Sequence, residues 1–520
     1  MSASNKKKLR NAAQAEKLTE RQAAAQKEAK KLKIYTAVFI IVTVILLAVA
    51  LSIGVSQIID KTGIRQRNSV AMTVGDEEIT SPEMSFFYVD AVSNFYSSNS
   101  DYISYFLDPS TPLNQQMYSY DNDTTWADYF LSIAQSNAEL AYTYCAAAES
   151  EGHTLTEDEK QQLYDYAVQL EQFAVENGAP DLETFLKATY GELATVEGFN
   201  AYQEKLALAN SYRLAYANSL NYDDAAIEAA VAADPDKYSS FTYHSYLIST
   251  SRFLTGGTVN DDGTTTYTDE EKATALAEAE AAAKTLVESA PDSPEAFDAA
   301  IAALPINAEN ASAKSTENTD VLYTSIDAAR AAWLAQDHSA GDVAYIPYET
   351  TANGVTTVNG YYVLYYVSRN DNDFALPNVR HILISAEDGI EKAESILDEW
   401  KNGAASVEAF EALALKHSTD TGSAQNGGLI EDILPGQMVQ SFNDWCFAEH
   451  QIGDTDIIES EYGFHIMYFD GYSDNIYLDL LVSEDLFNTE MQRWYDDLHA
   501  KYPVTIGTSK YLPMNMTLGG

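Results

Sequence analysis

Val379-Arg380-His381-Ile382-Leu383-Ile384 opens the stretch on which the reading of this chain turns, and Tyr462-Gly463-Phe464-His465-Ile466-Met467-Tyr468-Phe469 closes it. Both runs alternate with the period of a strand, and each carries one histidine among apolar neighbours. Between them lie Ser418-Thr419-Asp420-Thr421-Gly422-Ser423-Ala424-Gln425-Asn426-Gly427-Gly428 and the turn Pro435-Gly436-Gln437-Met438. Two imidazoles on strands at opposite ends of a compact unit, with a Gly-rich loop between them, mark a candidate site. The remainder of the chain carries, anchors and extends this unit.

The 520 residues leave room for several domains, and 46% apolar content with 11% aromatics can bury real cores. Charge is unevenly placed. Residues 1–33 hold ten Lys/Arg and three Glu, whereas the rest of the chain holds 21 basic and 75 acidic residues. Such an acidic body argues against nucleic acid as a partner and against anionic lipid along its length. Two cysteines, Cys145 and Cys446, cannot build a disulfide framework. One bridge and two buried thiols both stay open, with buried thiols favoured.

Residues 34–53, IYTAVFIIVTVILLAVALSI, are twenty residues without a charge. That length spans the hydrocarbon core as a helix. A cleaved signal peptide is the competing reading, but the run exceeds a signal core and lacks a small-residue cleavage pattern at its exit. The ten basic residues ahead of it set the N-terminus in the cytoplasm. The expectation is one uncleaved anchor.

Beyond the anchor, residues 69–80 read as two short strands around a Gly75 turn. Ser81-Pro82-Glu83 then starts a helix, with Ser as the cap and Pro at the first position. Helical periodicity dominates to about residue 233. Tyr88, Tyr96, Tyr102, Tyr105, Tyr118 and Tyr120 gather in its first part, compatible with half-buried packing or with a peptide groove. Near the C-terminus a helix over 484–501 shows an apolar stripe (Leu486, Phe487, Met491, Trp494, Tyr495, Leu498), expected to bury against the helical region 69–233.

The segment between these parts repeats the opening stretch. Leu247-Ile248-Ser249 matches Leu383-Ile384-Ser385, and Glu295-Ala296-Phe297 matches Glu408-Ala409-Phe410. Trp333, His338 and Gly341-Asp342 stand in register with Trp445, His450 and Gly453-Asp454. Asn359-Gly360-Tyr361-Tyr362-Val363 parallels Tyr462-Gly463-Phe464-His465-Ile466. Ser245 then falls where His381 stands and Tyr362 where His465 stands, so the first copy keeps the fold and loses the site.

With these motifs laid out, residues 378–472 resemble the parvulin family of peptidyl-prolyl isomerases, and the exterior as a whole is similar to PrsA/SurA-type foldases. The resemblance implies an α+β multidomain chain. Its expected parts are a basic tail (1–33), a transmembrane anchor (34–59), a helical chaperone domain (67–236), a degenerate parvulin-like module (237–373), an isomerase module (374–473) and a C-terminal segment (474–520) completing the chaperone domain. The isomerase module is expected as a four-stranded antiparallel sheet wrapped by helices.

The resemblance further implies action on X-Pro bonds with no cofactor and no metal. His381 and His465 match the paired histidines at the floor of the site. Asp420 matches the position that is Cys or Asp among parvulins. Met438 and Phe442 match the proline-ring pocket, Ile430 falls where Leu is usual, and Phe464 joins these as a substrate contact. The histidines act electrostatically or hold the fold through their mutual hydrogen bond; Asp420 acts in catalysis or caps a turn. His417 and His450 have no counterparts and are read as surface residues. One departure is Leu429-Ile430-Glu431 where Asp-Leu-Gly is usual, which brings a side chain to the loop bordering the pocket and removes a turn cap.

The expected function is a membrane-anchored extracytoplasmic isomerase and chaperone of the bacterial cell membrane. Its partners are unfolded or partly folded secreted polypeptides with X-Pro bonds and, through one helix, the membrane; nucleic acid is excluded and a homodimer is left open. The competing reading is a non-enzymatic holdase. Retention of His381, His465, Met438 and Phe442 in one copy, against loss of both histidines in the other, favours the enzyme.

Overall fold

The computed structural model describes residues 64–118, 123–260, 263–310, 312–352 and 354–518. They fall into two compact units, one built from the chain up to Asn221 together with Phe487–Gly520, the other from Tyr222–Leu486. The expected tail and anchor, and Tyr120, lie outside the described residues. Among the described residues no helix is long and apolar enough to cross a membrane.

In the first unit, β1 (Val70–Val74) and β2 (Glu77–Thr80) form a hairpin. The hairpin turns at Gly75, whose φ of 59° suits a residue without Cβ. The C-terminal strand Val504–Ile506 adds to the free side of β1, with Met72 opposite Ile506. Helix α1 (Ser81–Asn99) follows directly. Its cap is Thr80, one residue earlier than expected, because Thr80 N–H and Oγ1 both donate to Glu83 Oε2 at 2.9 Å. Helices α2 (Trp126–Glu151), α3 (Glu157–Glu176), α4 (Leu182–Tyr190) and α5 (Val196–Ser219) complete the bundle around Phe86, Trp126, Phe130, Phe185 and Phe199.

The C-terminal helix runs over Tyr477–Lys501, several residues longer than expected. Its Trp494 and Leu498 enter this core, with Trp494 stacked on Tyr216 at 4.0 Å and near-parallel to Tyr144 at 5.1 Å. The tyrosine cluster does not share one surface. Tyr88 is core, Tyr118 stacks on Tyr129, and Tyr102 and Tyr105 are exposed. Cys145, here, and Cys446, in the second unit, are buried free thiols.

Among the described residues the second unit contains two four-stranded sheets of one topology. The first consists of β3 (Ser240–Ser249), β4 (Thr316–Leu322), β5 (Val343–Ala352) and β6 (Val355–Asn370), ordered β4-β3-β6-β5. The second consists of β7 (Ala375–Ile384), β8 (Leu429–Ile430), β9 (Thr455–Ser460) and β10 (Gly463–Ile476), ordered β8-β7-β10-β9. All neighbouring strands are antiparallel, and helices α6 (Asp269–Glu288), α7 (Pro294–Ala302) and α8 (Ala328–Leu334) pack on the first sheet. Strand β4 was not anticipated; its sequence TENTDVL does not alternate apolar with polar.

The two ladders agree residue by residue. Leu247 opposes Tyr362 as Leu383 opposes His465, and Ser245 opposes Leu364 as His381 opposes Met467. Gly360 (φ 146°) and Gly463 (φ 129°) each lie so close to the partner strand that a Cβ would come within 2.3 Å of Ile248 O and 2.2 Å of Ile384 O. The Trp-His-Asp motif forms the same clip twice. His338 Nε2 donates to Trp333 O at 2.7 Å with the rings 4.2 Å apart, and His450 Nε2 donates to Trp445 O at 2.7 Å with the rings 4.1 Å apart. His450 is therefore a half-buried structural residue rather than a surface one, and His417 is half-buried as well.

Candidate active site

Strand alternation sorts the residues of β7 and β10 onto two faces. One face packs Ile382, Ile384, Ile466 and Tyr468 under α9 (Ile390–Asn402) and α10 (Val407–His417), with Trp400 and Phe410. The other packs Val379, Met467 and Phe469 against Phe442, Trp445 and Cys446. Helices α11 (Thr421–Ala424) and α12 (Gln440–Cys446) close this side. Both histidines lie on the second face, since His381 opposes Met467 and is two residues from Leu383, which opposes His465.

His381 and His465 are 4% and 5% exposed, and their Nδ1 atoms are 3.2 Å apart. Phe442 stands edge-on to both rings, its centroid 5.3 Å from each. His381 Nε2 lies 2.9 Å from Asp420 Oδ2 and 3.0 Å from Ser423 Oγ. Ser423 Oγ donates to the same carboxylate oxygen, and Asp420 Oδ1 accepts the Gly422 N–H at 3.0 Å. At the far end His465 Nε2 is 2.7 Å from Ser460 Oγ, which accepts the Tyr462 N–H at 3.1 Å.

These contacts admit one consistent proton arrangement. Burial works to raise the Asp420 carboxyl, but hydrogen bonds from Ser423, His381 and the Gly422 N–H outweigh it and hold the group down at about 2. Asp420 is thus an anion and only accepts. Burial lowers His381 against the opposing pull of Asp420, and burial together with His381 lowers His465 to about 4, so both rings are neutral at pH 7. His381 then donates from Nε2 to Asp420 and accepts at Nδ1 from His465, whose Nε2 accepts the Ser460 hydroxyl. Every proton along the line points toward Asp420. Asp420 therefore both caps α11 and terminates the histidine line.

Met438 and Ile430 pack half-buried beside Phe442, together with Ile458 and Val439. Phe464 does not belong here. It opposes Ile384 and packs on the α9–α10 face, because a residue next to His465 must point away from it. Ser423 and Ser460 were missed in the sequence. Ser460 sits five residues ahead of His465 on the neighbouring strand, and nothing local marks it. The Leu429-Ile430-Glu431 segment forms strand β8, with Leu429 and Ile430 paired to Arg380 and Val379, while Glu431 is exposed. The left-handed position is Asp432 (φ 53°), whose N–H donates to Asn378 Oδ1 at 2.8 Å.

Residues 381–471 match the Rotamase family, described as PPIC-type PPIASE domain. Foldase protein PrsA 1 of Listeria monocytogenes serotype 4b (strain F2365) is 38% identical over 90 residues, 17% of this chain and 28% of the relative. Foldase protein PrsA of Geobacillus sp. (strain WCH70) is 35% identical over 93 residues, 18% of this chain and 31% of the relative. A crystal structure of PrsA from Bacillus subtilis is matched at 14% identity over 75% of this chain and 93% of that one, with a TM-score of 0.22, too loose a superposition to bear on the fold. The chain spans less than a third of the length of the curated relatives it matches. Over residues 381–471 the chain is thus similar to the PPIC-type rotamases, the parvulin type of peptidyl-prolyl isomerase domain.

Proposed function

We propose that this chain is a membrane-anchored, extracytoplasmic peptidyl-prolyl cis-trans isomerase and chaperone that assists the folding of secreted proteins. The matched relatives are named foldases, and the uncharged run over 34–53 behind ten basic residues supports the anchor and its orientation. The substrates are unfolded or partly folded polypeptides with X-Pro bonds. One observation carries the reading: His381, His465, Asp420 and Phe442 meet on one face of the sheet.

Rotation about the amide faces a barrier of ~18–20 kcal/mol from resonance. Uncatalysed X-Pro exchange takes tens of seconds or more, slow enough to limit folding. No group must attack or leave. A site that binds the twisted amide better than either planar isomer is sufficient. Phe442, Met438 and Ile430 offer an apolar seat for the pyrrolidine ring and keep water from the bond. Beneath them the line from Tyr462 to Asp420 spends its protons inward and sets a fixed field that needs no reorganisation as the amide turns.

A protease-coupled assay of the full chain on Ala-Pro peptides tests the reading. Isomerisation above the spontaneous rate is expected, and its loss in His381→Ala. A wild-type rate no higher than background would leave the holdase.

A further inference from the structure

Arg380 precedes His381 on β7, and alternation turns it to the opposite face, where it is 8% exposed. A buried guanidinium needs partners, and this one has three. Its Nε donates to Asp470 Oδ1 at 3.1 Å, its Nη1 lies 3.0 Å from Glu411 Oε1, and the same Nη1 donates to the Gly427 carbonyl at a longer 3.4 Å.

The ion pair closes over a turn with no room to spare. A Cβ on Gly427 (φ 65°) would come within 2.6 Å of Glu411 Cγ, and one on Gly428 (φ 76°) within 2.3 Å of His381 O. From this turn the contacts run straight to the carboxylate. Gly428 O accepts the His381 N–H at 2.9 Å, Gly428 N–H donates to Ser423 O at 3.0 Å, and Gly427 N–H donates to Ala424 O at 3.1 Å. Ser423 and Ala424 end helix α11, and Asp420 caps its start. A single turn of helix cannot hold itself in place. Its first two residues, Thr421 and Gly422, are exposed.

We infer that Arg380 is a positioning residue for the isomerase site. By gripping Gly427 it sets where α11 stands, and so maintains the 2.9 Å contact between Asp420 and His381 from which the polarity of the histidine line follows. Lysine cannot replace it, because one ammonium lacks the separate Nε and Nη1 donors that reach two carboxylates and a carbonyl.

The inference rests on the isomerase reading, and its test separates the two. In the full chain, Arg380→Lys is expected to lower kcat about tenfold with KM changed less than about twofold, the pattern of a lost transition-state contact. The ¹⁵N shifts of the His381 imidazole should move from a single tautomer toward a mixture. In an Asp420→Asn background, adding Arg380→Lys should cost nothing further, since the two changes break one path. Glu411→Gln loosens the same clamp from α10 at a half-exposed position and should act in the same direction, which keeps the test decisive if Arg380→Lys folds poorly. Imidazole shifts unchanged from wild type in both variants, or losses that multiply in the Asp420→Asn background, would overturn the inference. Should the wild type show no isomerisation, the isomerase reading fails, and the imidazole shifts alone decide the role of Arg380.

Discussion

Arg330 and Phe442 hold the same place in the two repeats of the second unit, each three residues ahead of its clip tryptophan, Trp333 or Trp445, on the short helices Ala328–Leu334 and Gln440–Cys446. Phe442 stands edge-on over two neutral imidazoles. Arg330 instead lies 4.3 Å over the ring of Tyr362 and pairs with Asp327. The floor differs throughout. Ser245 replaces His381, Tyr362 replaces His465, and Tyr348, opposite Gly360, replaces Ser460, opposite Gly463. Where the first copy lost its imidazoles it also carries a guanidinium, seated over Tyr362, at the position of the Phe442 ring.

Restoring the histidines alone should therefore not restore a site. In a chain silenced by His381→Ala, the pair Ser245→His and Tyr362→His is expected to give no isomerisation, because Arg330 still occupies the ring seat. A protease-coupled rate above background in that variant would refute the equivalence.

Phe442 is 2% exposed and touches both rings, so its removal combines a packing loss with a site loss. Phe442→Leu separates them. Near-conservation of volume should limit the stability loss to about 1 kcal/mol. Losing the flat edge over the imidazoles should lower kcat/KM by about tenfold or more, equivalent to about 1.4 kcal/mol of transition-state binding. Chemical denaturation and the isomerase assay, run on the same protein, measure the two parts.

The pH profile should be flat across neutrality. His465 sits at about 4, below its ordinary 6.5, so the unfolded chain takes up a proton over that interval that the folded chain refuses. Its contribution to stability is present above pH 6.5 and is lost as pH falls toward 4. Activity should fall through the same lower limit as the imidazole charges. Ser460→Ala removes the hydroxyl donor to neutral His465 and should move the acid limb upward; an unmoved limb would show that Ser460 donates nothing there.

The first unit holds a carboxyl with the opposite sign. Asp90 accepts from Tyr202 Oη at 2.7 Å and Tyr190 Oη at 3.1 Å. Burial raises it to about 6 despite those donors. A raised carboxyl stabilises the fold below its unfolded pKa near 3.8, and that stability is lost as pH rises through about 6. Asp90→Asn should raise the thermal midpoint at pH 7 by a few degrees and flatten its dependence on pH between the two values. A lowered midpoint at pH 7 would mean that the tyrosines need the anion.

Much of the site could be read along the chain because its parts are strands with a two-residue period. Apolar alternation placed His381 and His465 on β7 and β10, and the repeat placed Ser245 and Tyr362 in their true register. The same period should have excluded Phe464, which follows the sequence into the motif but the geometry onto the other face. His450 misled for a different reason: its partner is a backbone carbonyl, Trp445 O, and backbone acceptors carry no signature in side-chain sequence.

The duplication and the place of both histidines on alternating, strand-like runs follow from spacing along the chain. The antiparallel modules and the pairing of Met438 with Phe442 follow instead from the resemblance that the motifs carry, and the structure has the antiparallel sheets and packs Met438 against the cluster that holds Phe442. How the histidine pair is wired is a matter of tertiary structure. Ser460 reaches His465 across a hairpin, Ser423 and Asp420 reach His381 from a separate turn, and Arg380 grips that turn from behind the sheet. Hydrogen-bond polarity is set by which atoms stand within about 3 Å of one another. For His381 those atoms belong to Asp420 and Ser423, 39 and 42 residues away along the chain.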